Sequence, residues 1–331
     1  MTYPDALSSW VSTQLNQASV TLLAIAGDAS LRRYFRVSGQ DGTPYVVMDS
    51  PPAIEDPAPF VALAGQLADA GIHTPRVLAA DLAQGYVLLS DLGTRHYQDE
   101  LTPATAPALY RDACRALIQM QTTVDARALP AFDSEMQHRE IALCPTWFIT
   151  QHLGVTLSAV QQAQWDRAVA SLVTHIETLP RYFVHRDYHC RNLMVAEPNP
   201  GVLDFQGAVY GPLAYDLVSL LKDAYLDWPE ADVLDWAIRY WQDARAAGLA
   251  VPSAFDDFYR DFEWIGVQRH LKVLGIFARL HYRDGKTHYL AEIPRVHQYV
   301  LAACQRYGAL RPIGKILNEV AGVSTTVGYT F

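Results

Sequence analysis

The sequence predicts an α+β fold in which a small antiparallel β-sheet lobe with one helix precedes a larger, mainly helical lobe. Short β-branched and aromatic runs separated by turn-forming residues fill residues 1–93, and this pattern is typical of strands. Residues 94–331 instead contain long stretches with apolar side chains at helical spacing. The length of 331 residues agrees with this division, since it corresponds to about two domains.

The small lobe, residues 1–93, is predicted from turn and stop signals. The stretch 38–44 is rich in glycine, aspartate and proline between two apolar runs, which predicts a hairpin. Gly71 follows a helical stretch and provides its stop signal. The predicted elements are a weak helix over 5–18, strands over 20–26, 33–37 and 45–48, a helix over 60–70, and strands over 76–80 and 86–89. Together they form an antiparallel sheet with one well-defined helix.

The larger lobe, residues 94–331, is predicted from helical periodicity. Leu109, Ala113, Leu117 and Met120 recur at intervals of three and four, so they share one helix face. Predicted helices span 106–121, 160–178, 233–247, 257–280 and 294–306. A polar segment over 183–216 interrupts them and contains two short strand-like runs, 193–195 and 201–203.

Composition excludes several classes of protein. The formal net charge is −9, which argues against a nucleic-acid partner because phosphate neutralisation needs clustered cations. No run of about 18 apolar residues is present, so no membrane-spanning helix is expected. The four cysteines contain no closely spaced pair, and we see no signal peptide at the start. We therefore expect a cytoplasmic protein without nucleic-acid or membrane partners.

The basic residues are almost all arginine. Of 26 basic residues 22 are Arg and four are Lys, and the first lysine is Lys222. Coding bias explains such a preference without any function. The consequence remains that no chemistry in the first 221 residues can use a lysine.

Three residues in the polar segment have the order and spacing of a phosphoryl-transfer motif. Asp187 lies in His-Arg-Asp, Asn192 follows five residues later, and Asp204 follows in Leu-Asp-Phe at the end of an apolar run. Phosphoryl transfer requires a carboxylate beside the attacking hydroxyl and oxygen ligands for Mg²⁺. Each residue alone fits a turn or a helix cap, but the combination favours Asp187 as the base and Asn192 and Asp204 as metal ligands.

The chain resembles the aminoglycoside phosphotransferase and choline kinase superfamily, which has a bilobal protein-kinase-like fold. The resemblance lies in Gly27-Asp-Ala-Ser-Leu-Arg-Arg-Tyr-Phe-Arg36, Val47-Met-Asp-Ser-Pro-Pro52, Thr74-Pro-Arg-Val-Leu-Ala-Ala-Asp81, Leu89-Ser-Asp-Leu-Gly93, His185-Arg-Asp-Tyr-His-Cys-Arg-Asn-Leu-Met194, Leu203-Asp-Phe-Gln-Gly-Ala208, Tyr215-Asp-Leu-Val-Ser-Leu220 and Gln268-Arg-His-Leu-Lys-Val-Leu-Gly-Ile-Phe277. Val47–Pro52 and Gln268–Phe277 are most similar to the bacterial N-acetylmuramate/N-acetylglucosamine anomeric kinases of cell-wall recycling.

The resemblance implies ATP and Mg²⁺ as cofactors and a small-molecule sugar as substrate. It also implies roles for matched residues. The backbone at Ser90 and Leu92 would hold adenine, and Asp216 would brace the catalytic loop from a helix start. We expect a monomer. An anomeric hydroxyl is more acidic than an ordinary alcohol, so its proton would be easier for Asp187 to accept.

The lysine that kinases carry on the third strand is missing. Met48 or Asp49 occupies its place, depending on the strand register. The expected phosphate loop contains Gly27 and Ser30 but no glycine-rich motif. We predict that Ser30 contacts the ATP phosphates and that the phosphate cation is Arg32, Arg33 or Arg36. Alternation along a strand puts Arg32 and Arg36 on the face of Tyr34, and puts Arg33 on the face of Phe35.

Substrate residues are expected in the helical lobe. An aromatic ring and a carboxylate commonly bind a sugar together, which favours Trp147 and Glu140, whereas Phe148 is expected in the core. His189 and Arg191 lie inside the catalytic loop and can reach substrate or phosphate.

Arg269 and Lys272 lie three residues apart and share a helix face. If that face borders the site, they would meet an acidic substrate such as the lactyl carboxylate of N-acetylmuramate. For Lys272 a solvated helix face is the expected position, whereas Arg269 is predicted to bind substrate.

Two alternatives remain open at this stage. One is another small-molecule kinase of the superfamily, acting on an aminoglycoside, choline or homoserine. The other is a nucleotide-binding pseudokinase scaffold, which the missing lysine suggests and the joint presence of Asp187, Asn192 and Asp204 disfavours.

Overall fold

The structure is a computed structural model that describes residues 5–25 and 32–322. Its helices are α1 Asp5–Gln14, α2 Ala58–Asp69, α3 Tyr97–Glu100, α4 Ala106–Thr123, α5 Ser134–Ile141, α6 Ala159–Glu177, α7 Tyr215–Leu221, α8 Glu230–Ala246, α9 Phe255–Tyr282, α10 Ile293–Arg306 and α11 Arg311–Val320. Its strands are β1 Leu23–Ile25, β2 Arg33–Ser38, β3 Pro44–Asp49, β4 Val77–Asp81, β5 Tyr86–Ser90, β6 Arg181–Val184, β7 Leu193–Met194, β8 Gly201–Val202 and β9 Val209–Pro212. Cys144–His152 forms a π-helix.

By internal contacts the chain divides into two compact units. The first contains residues 1–124 and 191–207, and the second contains residues 125–190 and 208–331. The five-stranded sheet lies in the first unit, and the longest helix, α9, lies in the second. The lobe boundary at residue 93 stays a prediction.

The sheet of the first unit has the strand order β1-β2-β3-β5-β4, and every neighbouring pair is antiparallel. The predicted hairpin joins β2 to β3. Its loop is closed by a hydrogen bond from the Gly39 N–H to the Thr43 carbonyl at 2.8 Å. Gly42 has a φ of +82°, a conformation that glycine adopts without steric cost. The antiparallel sheet predicted from the sequence is therefore confirmed.

The two faces of this sheet differ in what they carry. One face packs against α1 through a buried cluster of Leu7, Val11, Leu22, Phe35, Val37, Val47, Tyr86 and Leu88. Because successive side chains of a strand point to opposite faces, Tyr34 and Arg36 of β2 lie on the other face. Burial of the aliphatic and aromatic face against α1 stabilises the sheet and fixes its register.

The stretch 191–207 joins the first unit through backbone and ring contacts. The Val202 N–H donates to the His73 carbonyl at 2.8 Å, and the Val195 N–H donates to the Arg95 carbonyl at 2.8 Å. Phe60 of α2 stacks on Phe205, with ring centroids 5.0 Å apart. These contacts hold the short β7–β8 pair and the residues that follow it beside α2.

The second unit is built around α9, where Gly275 allows a close helix approach. A Cβ atom at Gly275 would overlap the backbone carbonyl of Leu143, which precedes the π-helix. A short antiparallel pair, β6 with β9, forms in the same unit. The sequence patterns missed this pair, because the pairing joins segments far apart in the chain. The helix start expected at Asp216 is observed as the start of α7.

The C-terminal stretch contains one further helix. No element is predicted over residues 312–331, whereas the structure has α11 over Arg311–Val320 with Ile313, Ile316 and Leu317 buried. Across the described ranges, no helix has both the length and the apolar character needed to span a membrane.

Candidate active site

Arg33 contacts a carboxylate on the α1 face of the sheet. It lies directly opposite Asp49 in the β2–β3 register, and the two side chains form an ion pair. Asp49 is buried, whereas about half of the Arg33 side chain is exposed. A buried carboxylate is costly without a cationic partner. The ion pair with Asp49 therefore accounts for the position of the Arg33 side chain.

Arg36 joins β2 to the segment that follows β5. Its guanidinium contacts both carboxylate oxygens of Asp91, and Nη2 also donates to the Gly93 carbonyl at 3.0 Å. The hydrogen bonds to Asp91 raise the pKa of Arg36. This bidentate pair orders the predicted adenine segment.

Arg32 is the most deeply buried of the three arginines, at 5% exposure. Its Nη2 lies 2.8 Å from Glu55, and its guanidinium lies 5.5 Å from the centre of the Phe60 ring. Burial raises the pKa of Tyr34, the Arg32 charge and hydrogen bond oppose this rise, and the Asp204 carboxylate adds to it. Arg32 and Asp204 therefore both act on the Tyr34 hydroxyl.

The pairing of β2 with β3 shows which residue occupies the position of the lysine that kinases carry on the third strand. Met48 lies opposite Tyr34, and Asp49 lies opposite Arg33. Directly opposed residues of antiparallel strands share a face. Met48, fully buried, is thus the residue on the face of Tyr34, and it carries no charge.

The two predicted metal ligands lie close together in the first unit. Asn192 Nδ2 lies 3.5 Å from Asp204 Oδ2, and the Leu203 N–H donates to the Asn192 carbonyl at 2.9 Å. Gln206 Nε2 donates to Asp204 Oδ1 at 2.7 Å. Asp204 has a φ of +59°, a left-handed conformation that Asp tolerates better than most residues. Backbone pairing thus brings the two side chains to the same place.

The Asn192–Asp204 pair fits a Mg²⁺ ion. Adjacent ligands of an octahedral Mg²⁺ lie roughly 3 Å apart, and the ion takes one or two protein oxygens while phosphates and water supply the rest. Rotation of the Asn192 amide exchanges its nitrogen and oxygen. Within residues 5–25 and 32–322, no group of three or more His, Cys, Asp or Glu side chains could hold a metal. The metal contacts of Asn192 and Asp204 stay predictions.

Ser90 is the last residue of β5, and Leu92 lies two residues after it. The Ser90 N–H donates to the Arg76 carbonyl at 3.0 Å, and the Ser90 hydroxyl accepts from the Arg76 N–H at 2.8 Å. The Ser90 N–H is therefore engaged by Arg76. The adenine contacts of Ser90 and Leu92 stay predictions.

Two other predicted residues of this region have different outcomes. Ser30 lies outside the described residues. Arg191 belongs to the first unit, where its Nε donates to Gln98 at 2.8 Å and its carbonyl lies 2.9 Å from His96 Nδ1. The prediction that Arg191 contacts substrate is not tested by these contacts.

In the second unit, the loop after β6 is held by a buried carboxylate. Asp216, at the start of α7, accepts the N–H of His185 at 2.6 Å and the N–H of Arg186 at 2.9 Å. Arg186 has a φ of +77°, which is strained for a side chain of its size. Burial raises the pKa of Asp216 to about 6. The contacts agree with the bracing role expected of Asp216.

Asp187 follows directly in this loop among cationic groups. Burial alone would raise the pKa of Asp187, but the charges of Lys272, His189, Arg269 and Arg186 outweigh it and lower the pKa to about 2. The carboxylate is therefore ionised at neutral pH and can accept a hydrogen bond from a hydroxyl.

Glu140 is a buried acceptor for several groups of the same unit. It forms ion pairs with Arg186 and with Lys272, whose Nζ lies 3.4 Å away. Gln268 Nε2 donates to its other oxygen at 3.0 Å. Burial would raise the pKa of Glu140, but the charges of Lys272 and Arg186 lower it. The observed contacts of Glu140 are those that hold Arg186 and Lys272. Its contact with a sugar stays a prediction.

The expected solvated position of Lys272 is wrong. Lys272 is only 7% exposed and lies between Glu140 and the Tyr215 hydroxyl, which is 3.3 Å from its Nζ. The sequence spacing placed it correctly on the face of Arg269, which is also buried. Burial of Lys272 depends on Glu140, and no local pattern indicates a partner so distant in the chain.

Trp147 and Phe148 both lie in the π-helix, a conformation often found at functional sites. Phe148 is buried, as expected, whereas Trp147 is half-buried. His189 packs edge-on against Tyr225, with ring centroids 5.3 Å apart. The substrate roles of Trp147 and His189 stay predictions.

Several site residues were missed by sequence reasoning. Glu55, Gln98, Arg186, Asp223 and Gln268 all contact predicted site residues or their loop. Asp223, for example, accepts the Cys190 N–H at 2.9 Å. Arg186 has a usable signal, since it is the middle residue of His-Arg-Asp. The others have none, because single polar residues in helices and loops are common.

The comparisons with known proteins define the class. The model of the phosphotransferase enzyme family (APH) matches residues 21–255, and the chain belongs to this family. It is a phosphotransferase, and its fold is the mixed α+β, protein-kinase-like fold of that family. An amicoumacin kinase bound to AMP-PNP, Ca²⁺ and amicoumacin shares this fold, with a TM-score of 0.61 at 13% identity over 89% of this chain and 92% of that one.

Relatives of higher identity carry one common name. The N-acetylmuramate/N-acetylglucosamine kinase of Pseudomonas aeruginosa is 49% identical over 299 residues, which cover 90% of this chain and 88% of the relative. The kinase of the same name from Neisseria meningitidis serogroup B is 45% identical over 330 residues and covers 98% of each chain. The resemblance stated from the motifs is thereby confirmed.

Proposed function

We propose that this phosphotransferase transfers the γ-phosphoryl group of ATP to the anomeric hydroxyl of N-acetylmuramate and/or N-acetylglucosamine, in cell-wall recycling. Asp187 acts as the base, and Asn192 and Asp204 hold Mg²⁺. The half-buried, ionised carboxylate of Asp187 in the His-Arg-Asp loop carries the chemistry of this proposal. The names of the relatives at 49% and 45% identity support the choice of acceptor.

In this mechanism Asp187 acts mainly by orienting the acceptor hydroxyl, and its role as a general base is secondary. The carboxylate accepts a hydrogen bond from the anomeric hydroxyl, whose oxygen forms a bond to the γ-phosphorus while the bond to the bridging oxygen of ADP breaks. The proton passes to Asp187. A carboxylate with a pKa near 2 is a weak base, but in a loose transition state the proton moves late and positioning supplies most of the rate. When bound, Mg²⁺ neutralises charge on the phosphates.

Cationic acceptors fit the surroundings of Asp187 poorly. Lys272, Arg269 and Arg186 all place positive charge on it. An aminoglycoside or choline would add a further cation near these groups, which is unfavourable at low local dielectric. The observation favours a neutral or acidic acceptor over the other substrates of the superfamily.

An acceptor panel tests the proposal. The protein is incubated with ATP, Mg²⁺ and, separately, N-acetylmuramate, N-acetylglucosamine, kanamycin or choline, and ADP release is followed. We expect turnover with one or both sugars, and loss of turnover in Asp187→Asn with ATP binding retained. Turnover with kanamycin or choline alone would refute the proposed acceptor class.

Among the three candidate arginines, we propose Arg32 as the cation that meets the ATP phosphates. Arg33 is paired with Asp49, and Arg36 with Asp91. Arg32 instead pairs with Glu55 ahead of α2 and acts on Tyr34 together with Asp204. This arrangement parallels the ion pair between a strand lysine and a helix glutamate in protein kinases.

Arg32→Ala tests this assignment. A lost charge-assisted hydrogen bond corresponds to a change of roughly 10- to 100-fold, so we expect kcat/KM for ATP to fall by about this factor. Arg76→Ala removes an exposed arginine of the same unit and is the matched control. Equal effects of the two substitutions on ATP kinetics would contradict the role of Arg32.

The location and assembly follow from the reaction. ATP is a cytoplasmic substrate, so we propose a cytoplasmic enzyme that acts on a free sugar without nucleic-acid or membrane partners. A monomer stays a prediction, which size-exclusion chromatography with light scattering would check.

A further inference from the structure

Arg269 is a buried cation whose charge has no ion-pair partner in the described part of the chain. The residue is 3% exposed, and neither its Nε nor its Nη1 has a hydrogen-bond acceptor within residues 5–25 and 32–322. Burying a guanidinium without a partner is costly, and guanidinium groups in proteins stay protonated. An anionic group that approaches Arg269 would remove this cost.

The neighbours of Arg269 show where such an anion would bind. Lys272 and Arg186 both contact the Glu140 carboxylate. Arg269 lies one helical turn before Lys272 on α9, and its charge acts on both Asp187 and Tyr215. The unpartnered guanidinium therefore lies in the same group of side chains as the carboxylate that would receive the acceptor hydroxyl.

We propose that Arg269 is a specificity-determining residue that binds the carboxylate of an acidic acceptor. The proposal rests on the proposed function, in which the acceptor is an N-acetylated amino sugar. N-Acetylmuramate differs from N-acetylglucosamine by a lactyl ether that ends in a carboxylate. A guanidinium binds a carboxylate through two parallel hydrogen bonds, so Arg269 distinguishes the acidic sugar from the neutral one.

Kinetics on the two sugars test the proposal directly. For the wild type, Arg269→Gln and Arg269→Lys, kcat/KM is measured with N-acetylmuramate, with its neutral methyl ester and with N-acetylglucosamine. In Arg269→Gln we expect the ratio of kcat/KM for N-acetylmuramate over N-acetylglucosamine to fall by on the order of 10- to 100-fold. Arg269→Lys keeps the charge and recovers part of the ratio. The wild type discriminates against the ester, and Arg269→Gln does not.

Two results would overturn the proposal. An unchanged ratio in Arg269→Gln means that Arg269 does not meet the acceptor carboxylate. A loss shared equally by all three acceptors means that Arg269 acts on the transferring phosphoryl group or on Asp187 instead. Thermal unfolding of each variant shows that the kinetics refer to folded protein.

A binding measurement separates this inference from the proposed function. If the wild type phosphorylates neither sugar, the proposed function fails. Calorimetric titration of N-acetylmuramate into the wild type and Arg269→Gln, each with the ATP analogue AMP-PNP and Mg²⁺, then decides the inference alone. Weaker binding of N-acetylmuramate to the variant supports it. Equal binding, or no binding to the wild type, refutes it.

Discussion

Backbone strain coincides with the catalytic motif. Arg186 and Asp204 both have a positive φ, at +77° and +59°. The left-handed conformation costs a residue with a Cβ atom about 1–2 kcal/mol, so the surrounding contacts must maintain it. For Arg186 those contacts include the hydrogen bond from its own N–H to Asp216 and the ion pair with Glu140. The neighbouring His185 N–H donates to the same Asp216 carboxylate. The strain therefore lies on the residue that precedes Asp187 and on Asp204, the predicted metal ligand.

Asp204→Asn tests the charge of the proposed metal ligand without disturbing its backbone. Asn tolerates the left-handed conformation as well as Asp does, so the fold is retained. We expect kcat to fall by on the order of 100-fold or more, because charge stabilisation by the metal is worth several kcal/mol. The Mg²⁺ concentration for half-maximal rate rises. Wild-type kcat and Mg²⁺ dependence, in a variant with unchanged thermal unfolding, would contradict the role.

At the scale of single residues, the motif could be predicted but its surroundings could not. Asp187, Asn192 and Asp204 stand out in the sequence because their spacing is typical of one chemistry, and their roles stay predictions. The burial of Lys272 could not be predicted, since it depends on Glu140, far away in sequence. A single lysine on a helix is most often solvated, and only the fold reveals its partner.

At the scale of elements, the start of α7 holds the catalytic loop. The two carboxylate oxygens of Asp216 each accept one backbone N–H from the loop after β6. Such a bridge between a helix and a loop fixes both the loop backbone and the direction of the next side chain, Asp187. The loop that contains Asp187, the predicted base, is thus held in place by Asp216.

Asp216→Asn should weaken this bridge. An amide has one acceptor oxygen, and its NH₂ group would face an N–H that needs an acceptor. We expect a loss of about 1–3 kcal/mol in the free energy of unfolding, together with a lower kcat. Chemical denaturation measures the stability. Asp125→Asn, at an exposed 3-10 helix cap, is the control and should change it by less than about 0.5 kcal/mol. A similar small change in Asp216→Asn would refute the bracing role.

Gly275 determines how closely α9 approaches the segment before the π-helix. The Cβ atom of an alanine there would overlap the Leu143 backbone, which cannot move away as a flexible side chain can. This approach brings Gln268 and Lys272 of α9 to Glu140. The close packing at Gly275 therefore supports the side-chain network around Asp187.

Gly275→Ala should destabilise the protein, although alanine is normally the better helix former. We expect a loss of about 1–3 kcal/mol from overpacking. Gly266→Ala in the same helix is the matched control, because its nearest neighbour would be Val218 Cγ1 at an ordinary 3.7 Å. That variant should gain up to about 1 kcal/mol. Thermal unfolding of both variants tests this expectation. Equal changes in Tm for the two variants would show that close packing at Gly275 does not limit the residue there.

Local patterns predicted most elements of the fold. The hairpin between β2 and β3 and the long helix α9 follow from turn residues and apolar spacing, both of which depend on neighbouring residues. The β6–β9 pair and the π-helix were missed. Pairing of β6 with β9 and the widened turns of the π-helix depend on tertiary packing, which leaves no periodic signal.

At the scale of the whole molecule, the distribution of charge agrees with a small-molecule phosphate acceptor. The net charge of −9 gives no general attraction for polyanions, yet cations are concentrated around Asp187. The grouping of residues 191–207 with residues 1–124 depends on contacts between distant segments, which no local pattern indicates. Because there is no lysine before Lys222, the phosphate cation predicted for the first unit has to be an arginine.

The position of the new phosphate on the sugar is the most direct measurement of the central claim. The product of the reaction with ATP, Mg²⁺ and N-acetylglucosamine or N-acetylmuramate is examined by ³¹P–¹H correlation spectroscopy. We predict that phosphorus couples to the anomeric proton, that the product is acid-labile, and that the methyl glycoside, whose anomeric oxygen is blocked, gives no product. Coupling of phosphorus to the C6 protons, or phosphorylation of the methyl glycoside, would contradict the account.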